Sequence, residues 1–458
     1  MRCLLFACLL LGSLPSFALD RFQVEGYTLR NGLQLLLKPG NERGHVAIRL
    51  VVGVGLDDFS CADKELPHLL EHLLFSGIDA TGEGGLEERM QALGGEWNAY
   101  TSNADTTFVI EAPAKNQRKV LDLLLALLTQ TRIDDNAISA AKKVVEREDG
   151  GHYTHLQRWL DRQDLGHTAS NQLAVELGLK CPERAEVDHL TREQLEAVRQ
   201  AWYAPNNMTL IMVGDLERLL PAYLERAWGA LKPVDPSEHP PLPVILASAA
   251  HERTLSRALV GDSAKLHWLV PEPVLDDVND ATFDLLKDYL DWALYRQLRL
   301  AHSLSYGPSA EREVFGGVGF MSLNADLERD DVAEAAQALD ALKSELLRDG
   351  LDADTFNRLK QAAIARQAWA VQGNSALADY YWSALGDYED GRFADPAKEL
   401  QGVTVAQANK AMRELLMQPG YVRVEKPLLS DDQLIVAIAA VLAVLVFGIL
   451  GWRIYRKR

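Results

Sequence analysis

The chain has 458 residues, with 65 acidic against 47 basic side chains and a net charge of −18. A chain this long exceeds what one hydrophobic core organises, which points to two domains. Its negative charge excludes nucleic acid as a natural partner.

Residues 1–18 read as a signal peptide. Met1 and Arg2 lead an apolar run over 3–11, and Ser16-Phe17-Ala18 offers small residues for cleavage after Ala18. A buried first helix is the plainer alternative, but the charged start and the small-residue exit favour export. Cys3 and Cys8 then leave with the leader. Cys61 and Cys181 remain in an oxidising compartment, where spacing alone does not say whether they pair.

Beyond the leader, Asn31-Gly32 predicts a hairpin between 27–30 and 33–38, and 46–52 a further strand. Pro67 opens a helix that ends before Gly77, residues 86–93 form a second helix, and 106–112 form a strand. Amphipathic helices follow at 118–130 and 134–148. Thr191 with Gln194 makes a capping box for a helix reaching Trp202, and 208–214 is a buried strand. Pro233, Pro236, Pro240, Pro241 and Pro243 mark a linker over 232–244, between a first domain at 19–231 and a second at 245–425. In the second domain the pattern predicts a strand at 266–270, a helix at 282–300, strands at 306–312 and 319–327, and helices from Asp331 and Ala353. This alternation implies an α+β chain of two α/β domains.

The halves repeat one another. Ile133-Asp134-Asp135-Asn136-Ala137-Ile138 with Lys142 matches Leu351-Asp352-Ala353-Asp354-Thr355-Phe356 with Lys360 at a constant offset of 218. An internal duplication is therefore predicted. The same offset sets His68 and His72 against Leu286 and Leu290, and Glu148 against Arg366, so only the first half could hold a metal.

Residues 434–452 contain no charged side chain and, as a helix, span roughly 28 Å, close to a hydrocarbon core. Asp431 and Asp432 precede this stretch, and Arg453, Arg456, Lys457 and Arg458 follow it. The positive-inside rule predicts a transmembrane helix with residues 453–458 in the cytoplasm. The chain between leader and anchor is then expected in the periplasm, at a bacterial inner membrane.

His68-Leu69-Leu70-Glu71-His72 is the most informative stretch. Residues four apart share a helix face, so the two imidazoles can grip one ion while Glu71 projects beside them. Zinc suits two imidazoles and a carboxylate with one position open to water. A neighbouring carboxylate can take that water's proton and pass it to a leaving amine, the role expected of Glu71. The order inverts the commoner His-Glu-x-x-His motif and is the inverzincin signature. A solvated polar helix face is the plain alternative, but Leu69, Leu70, Leu73, Leu74 and Phe75 argue that the helix is buried. The third ligand should be an acid from another element: Glu146, Glu148 or Asp149, among which spacing does not choose.

These residues resemble the pitrilysin and insulinase family of zinc peptidases, which includes the mitochondrial processing peptidase. The likeness extends over nearly all of residues 22–425. The helix start at 133–138 and its end at Val144-Val145-Glu146-Arg147-Glu148 match the family's ligand helix, which implies Glu148 as the third ligand. Asn98-Ala99-Tyr100-Thr101-Ser102 resembles the family's substrate strand, with Asn98 and Ala99 as substrate-binding positions. Tyr203-Ala204-Pro205-Asn206-Asn207-Met208 with Val213-Gly214-Asp215 is similar to its domain-closing strand. Arg299 and Tyr306, in Leu294-Tyr295-Arg296-Gln297-Leu298-Arg299 and Ser303-Leu304-Ser305-Tyr306, resemble the pair that binds and polarises substrate. Ala141 departs from the family, many of whose members carry a glutamate seven residues before the ligand.

The resemblance implies one zinc ion per chain, a peptide substrate, and two chains closing on it as a homodimer or as a heterodimer with a paralogue. A non-catalytic peptide-binding or scaffold subunit, also found in the family, is the competing expectation.

Overall fold

The computed structural model describes residues 20–76, 85–150, 168–182, 186–235, 237–240, 251–256, 258–276 and 278–456. The predicted leader lies outside them, as do part of the proline-rich stretch and the last two residues.

In chain order the first half forms β1 (Glu25–Thr28), β2 (Gln34–Pro39), β3 (His45–Val52), α1 (Leu66–Ser76), α2 (Leu86–Ala92), β4 (Glu96–Thr101), β5 (Thr106–Pro113), α3 (Gln117–Gln130), α4 (Asp135–Gly150), α5 (Ala169–Glu176), α6 (Arg192–Trp202), β6 (Met208–Gly214) and α7 (Leu220–Ala227). Gly32, at φ +89°, allows the turn that sets Tyr27 opposite Leu35 in the predicted hairpin. The sheet order is β1-β2-β6-β3-β5-β4. All seven residues of β6 are buried, as in a strand covered on both faces.

The second half forms β7 (His251–Ser256), β8 (Ser263–Pro271), α8 (Asp280–Leu294), β9 (Ser309–Phe315), β10 (Val318–Glu328), α9 (Val332–Asp349), α10 (Ala353–Ala370), α11 (Asn374–Ser383), α12 (Pro396–Gly402), α13 (Val405–Met417) and β11 (Tyr421–Lys426), before α14 (Asp431–Tyr455). Two expectations shift here. The helix predicted over 282–300 is α-helical only to Leu294 and continues as a wider π-helix, Tyr295–Ala301. The following strand begins at Ser309 rather than 306, because a tight turn with Ser303 at φ 57° takes up the intervening residues.

The second sheet, β7-β11-β8-β10-β9, repeats β2-β6-β3-β5-β4 strand for strand. In both, the first pair is parallel and the rest are antiparallel. The offset of 218 survives in atomic detail. Asp134 and Asp352 cap α4 and α10, each accepting from a backbone N–H three residues on at 2.8 Å. Lys142 donates to the Asp188 and Leu190 carbonyls, and Lys360 to those of Gln401 and Val403, all at 2.7–2.8 Å. Both carbonyl pairs lead into helices with capping boxes, Thr191 with Gln194 and Thr404 with Gln407.

Each half also covers the other's sheet. Leu377, Ala378 and Tyr381 of α11 pack on Leu36, Ala47, Val51, Ile211 and Val213 of the first sheet. Reciprocally, Ala169, Leu173 and Ala174 of α5 pack with Leu269, Phe320 and Tyr421 of the second. A buried arginine marks each contact. Arg49 binds Asp379 at 2.7 Å and Glu111 at 2.8 Å, while Arg423 donates to the Thr168 carbonyl at 2.8 Å and to Gln172 at 2.7 Å. Helix α14 stands apart: none of its apolar stretch Asp431–Leu450 is buried against the rest of the described chain.

Candidate metal centre

Helix α1 is fixed by its apolar face. Leu66, Leu69, Leu70, Leu73 and Leu74 are all buried in the core beneath the first sheet, each contributing up to about 1.5–3 kcal/mol of burial. That leaves His68, Glu71 and His72 on the rim of the helix. Helix α4 packs across α1 and delivers Glu148 from its last turns.

The structure brings His68, His72 and Glu148 together. His68 Nε2 and His72 Nε2 lie 3.2 Å apart, and each is 3.2 Å from Glu148 Oε2. Ligand atoms about 2.0–2.1 Å from a tetrahedral zinc stand about 3.3 Å from one another, so this triangle has the right size and donor set for that ion. Of the three acids left open by spacing, Glu148 is the one whose carboxylate meets both imidazoles among the described contacts.

Glu71 is buried beside the triangle, its Oε2 accepting a 2.8 Å hydrogen bond from Thr101 Oγ1 on β4. Burial pushes the Glu71 carboxyl above its ordinary pKa, against the opposing pull of the Thr101 bond and of the two histidines. For His68, burial alone would lower the pKa, but the hydrogen bond His68 donates to Glu65 and the fields of Glu65, Glu71 and Glu148 turn the shift upward. Glu65 Oε2 lies 3.0 Å from His68 Nδ1. Three carboxylates thus surround two imidazoles, an electrostatic setting that favours a cation.

Asn98 and Ala99 sit on β4, the strand at one edge of the sheet, which among the described residues pairs only with β5. Alternation turns Trp97 and Thr101 towards α1, with Trp97 against Phe75. It turns Asn98 and Tyr100 outward, where Asn98 donates to the Tyr100 hydroxyl at 2.9 Å. Arg299 and Tyr306 are brought to one another in the second half. The guanidinium stacks 4.1 Å from the Tyr306 ring and donates to the Tyr306 carbonyl at 2.7 Å, leaving the ring 82% exposed. Among the described residues no contact joins this pair to the histidines.

Two residues at the centre fall outside the sequence reading. Thr101 reaches Glu71 from a different element, which no local spacing announces. Glu65 could have been found, since it precedes His68 by three residues and so shares its helix face. Ala141 is buried within the same core. Cys61 and Cys181 form a disulfide, 120 residues apart in sequence, that ties the segment before α1 to the residues after α5.

The family model described as insulinase, peptidase family M16, matches residues 39–183, and the one described as the M16 inactive domain matches residues 189–363. A probable mitochondrial-processing peptidase subunit beta of Arabidopsis thaliana is 28% identical over 194 residues, or 41% of this chain and 35% of that protein. The match therefore spans about a third of that relative's length. The crystal structure of a protease from Helicobacter pylori superposes with a TM-score of 0.73 at 18% identity, covering 89% of this chain and 100% of the other. The periplasmic protease PqqL from Escherichia coli superposes at 0.68 with 20% identity, over 88% of this chain and 47% of that one. The second of the two models falls largely on the half in which leucines and an arginine stand at the positions of the metal triangle, and together the models make the chain a member of the pitrilysin and insulinase family, M16.

Proposed function

We propose that the chain is a membrane-anchored periplasmic zinc endopeptidase that hydrolyses short or unfolded peptides. The observation that carries this reading is the 3.2 Å triangle of His68, His72 and Glu148 with Glu71 beside it on the same helix. A zinc ion held there would lower the pKa of water and polarise the scissile carbonyl. Glu71 takes the proton of the attacking water and passes it to the leaving amine, and Thr101 holds the carboxylate in place for both transfers. The free side of β4 offers Asn98, Ala99 and their neighbours as a template on which an extended peptide adds a strand. Arg299 and the exposed Tyr306 supply donors for the substrate's carbonyls.

Helix α14 is the anchor in this reading, with Asp431 and Asp432 on the periplasmic side and Arg453 and Arg456 in the cytoplasm. Export is supported by the sequence of residues 1–18 and by the periplasmic setting named for the Escherichia coli structure. Two chains, as a homodimer or as a heterodimer with a paralogue, enclose the peptide.

The test is metal content and peptide cleavage by the purified full chain and by Glu71→Gln. Near-stoichiometric zinc in both proteins, with cleavage falling about 10²–10⁴-fold in the variant, is expected. A second reading, a non-catalytic peptide-binding subunit, draws on Ala141 and predicts peptide binding with no zinc and no cleavage in either protein.

A further inference from the structure

Glu65 lies one turn before His68, outside the five-residue motif. It is 5% exposed, and both its carboxylate oxygens are engaged: Oε2 lies 3.0 Å from His68 Nδ1, and Oε1 lies 3.2 Å from Nζ of Lys64, itself 7% exposed. Burying such a pair gives little net stability, because desolvation offsets the attraction. The five leucines already hold α1, so anchoring the helix does not explain the pair.

The imidazole does explain it. An ionised carboxylate only accepts hydrogen bonds, so the contact at Nδ1 requires the proton on Nδ1, and in the neutral ring, the form that binds a metal, it leaves the lone pair on Nε2. Nε2 is the atom that stands 3.2 Å from both His72 Nε2 and Glu148 Oε2. The segment bearing Glu65 is braced independently: Cys61 is bonded to Cys181, and Asp63 Oδ1 meets His189 at 3.2 Å and Gln194 at 3.3 Å. On α4 the buried residues of the turns before Glu148 are Ala141 and Val145, which have no polar side-chain atom to offer.

We propose that Glu65 is a positioning residue that holds His68 as the Nδ1–H tautomer, with Nε2 aimed at the metal position and Lys64 locking the carboxylate. This rests on the reading of His68, His72 and Glu148 as metal ligands. A partner of this kind acts on metal affinity, typically by 10–100-fold.

The experiment measures zinc dissociation constants of the full chain in detergent by competition with a chromophoric chelator. Glu65→Ala is expected to bind zinc about 10–100-fold more weakly than the unaltered protein. Glu65→Gln keeps an acceptor oxygen for Nδ1–H and should stay within about threefold. The double variant K64M/E65M leaves no buried charge unpaired and should show the same weakening as Glu65→Ala, which keeps the test open where the single variant does not fold. Unchanged affinity in Glu65→Ala or in the double variant overturns the proposal, as does an equal loss in Glu65→Gln. An unaltered chain that binds no zinc at all overturns the ligand reading itself, a result distinct from either.

Discussion

Thr101→Val removes one hydroxyl while keeping the volume and β-branching of the side chain, and it isolates the bond that supports Glu71 in its ionised form. That bond is 2.8 Å long and its acceptor is 8% exposed, so the lost group is not readily replaced by bulk water. A hydrogen bond to a charged group is worth about 1.5–3 kcal/mol, which converts to about 1–2 pKa units. A carboxylate acts as a base only when ionised, so in the proposed mechanism activity is lost as the pH falls through the Glu71 pKa. Burial has already moved that pKa upward, and removing the opposing Thr101 bond moves it further in the same direction. A bound ion lowers the pKa in both proteins, but the difference between them remains. The expected result is an acid limb of kcat/KM displaced upward by about 1–2 pH units, with the alkaline plateau within about twofold. A quenched-fluorescence peptide followed from about pH 5 to 9 reads both features. An acid limb that stays put or moves downward, or a loss equal at every pH, refutes Thr101 as the support of the base.

Two further outcomes concern stability. C61S/C181S opens a 120-residue loop and should lower unfolding stability by about 2–5 kcal/mol, seen as a lower urea midpoint that reductant does not move further. Leu70→Ala leaves a cavity under the helix carrying both histidines and should cost about 2–5 kcal/mol by the same measurement, with weaker zinc retention as the helix loosens.

The candidate centre was legible where the chemistry is local. His68, Glu71 and His72 announce themselves because helical spacing puts them on one face. Glu148 did not, since acids at 146, 148 and 149 are equivalent in spacing, and only family resemblance separated them before α4 was seen crossing α1. Thr101 was invisible for a related reason: its meeting with Glu71 is made by β4 lying beside α1, a tertiary event. The fold shows the same division. Strands β3, β5 and β6 and the capping box of α6 follow from periodicity and cap chemistry. Helices α5 and α11 escaped because each lies between its own half and the other half's sheet, which leaves little polar face for an amphipathic pattern to reveal. The π-helical stretch at 295–301 preserves helical composition while changing the hydrogen-bond step, so sequence reads it as plain helix.

The duplication explains why one half has a metal triangle and the other does not. Two imidazoles and three carboxylates gathered at a helix–helix contact are costly to hold partly shielded from water without a cation among them. The second half avoids that cost. At the same backbone positions Leu286 and Leu290 are fully buried in its core, and Arg366 pairs with Asp288 where Glu148 would turn inward. The scaffold around the substitutions is conserved down to the lysine that ties each helix to the next: Lys142 in one half, Lys360 in the other. With leucine at the positions of the two histidines and arginine at that of Glu148, the second half gathers no such cluster of charge in its core. The exchange of α5 and α11 then makes the two halves one unit, so the half that carries the triangle is supported through its outer sheet face by the half that lacks it.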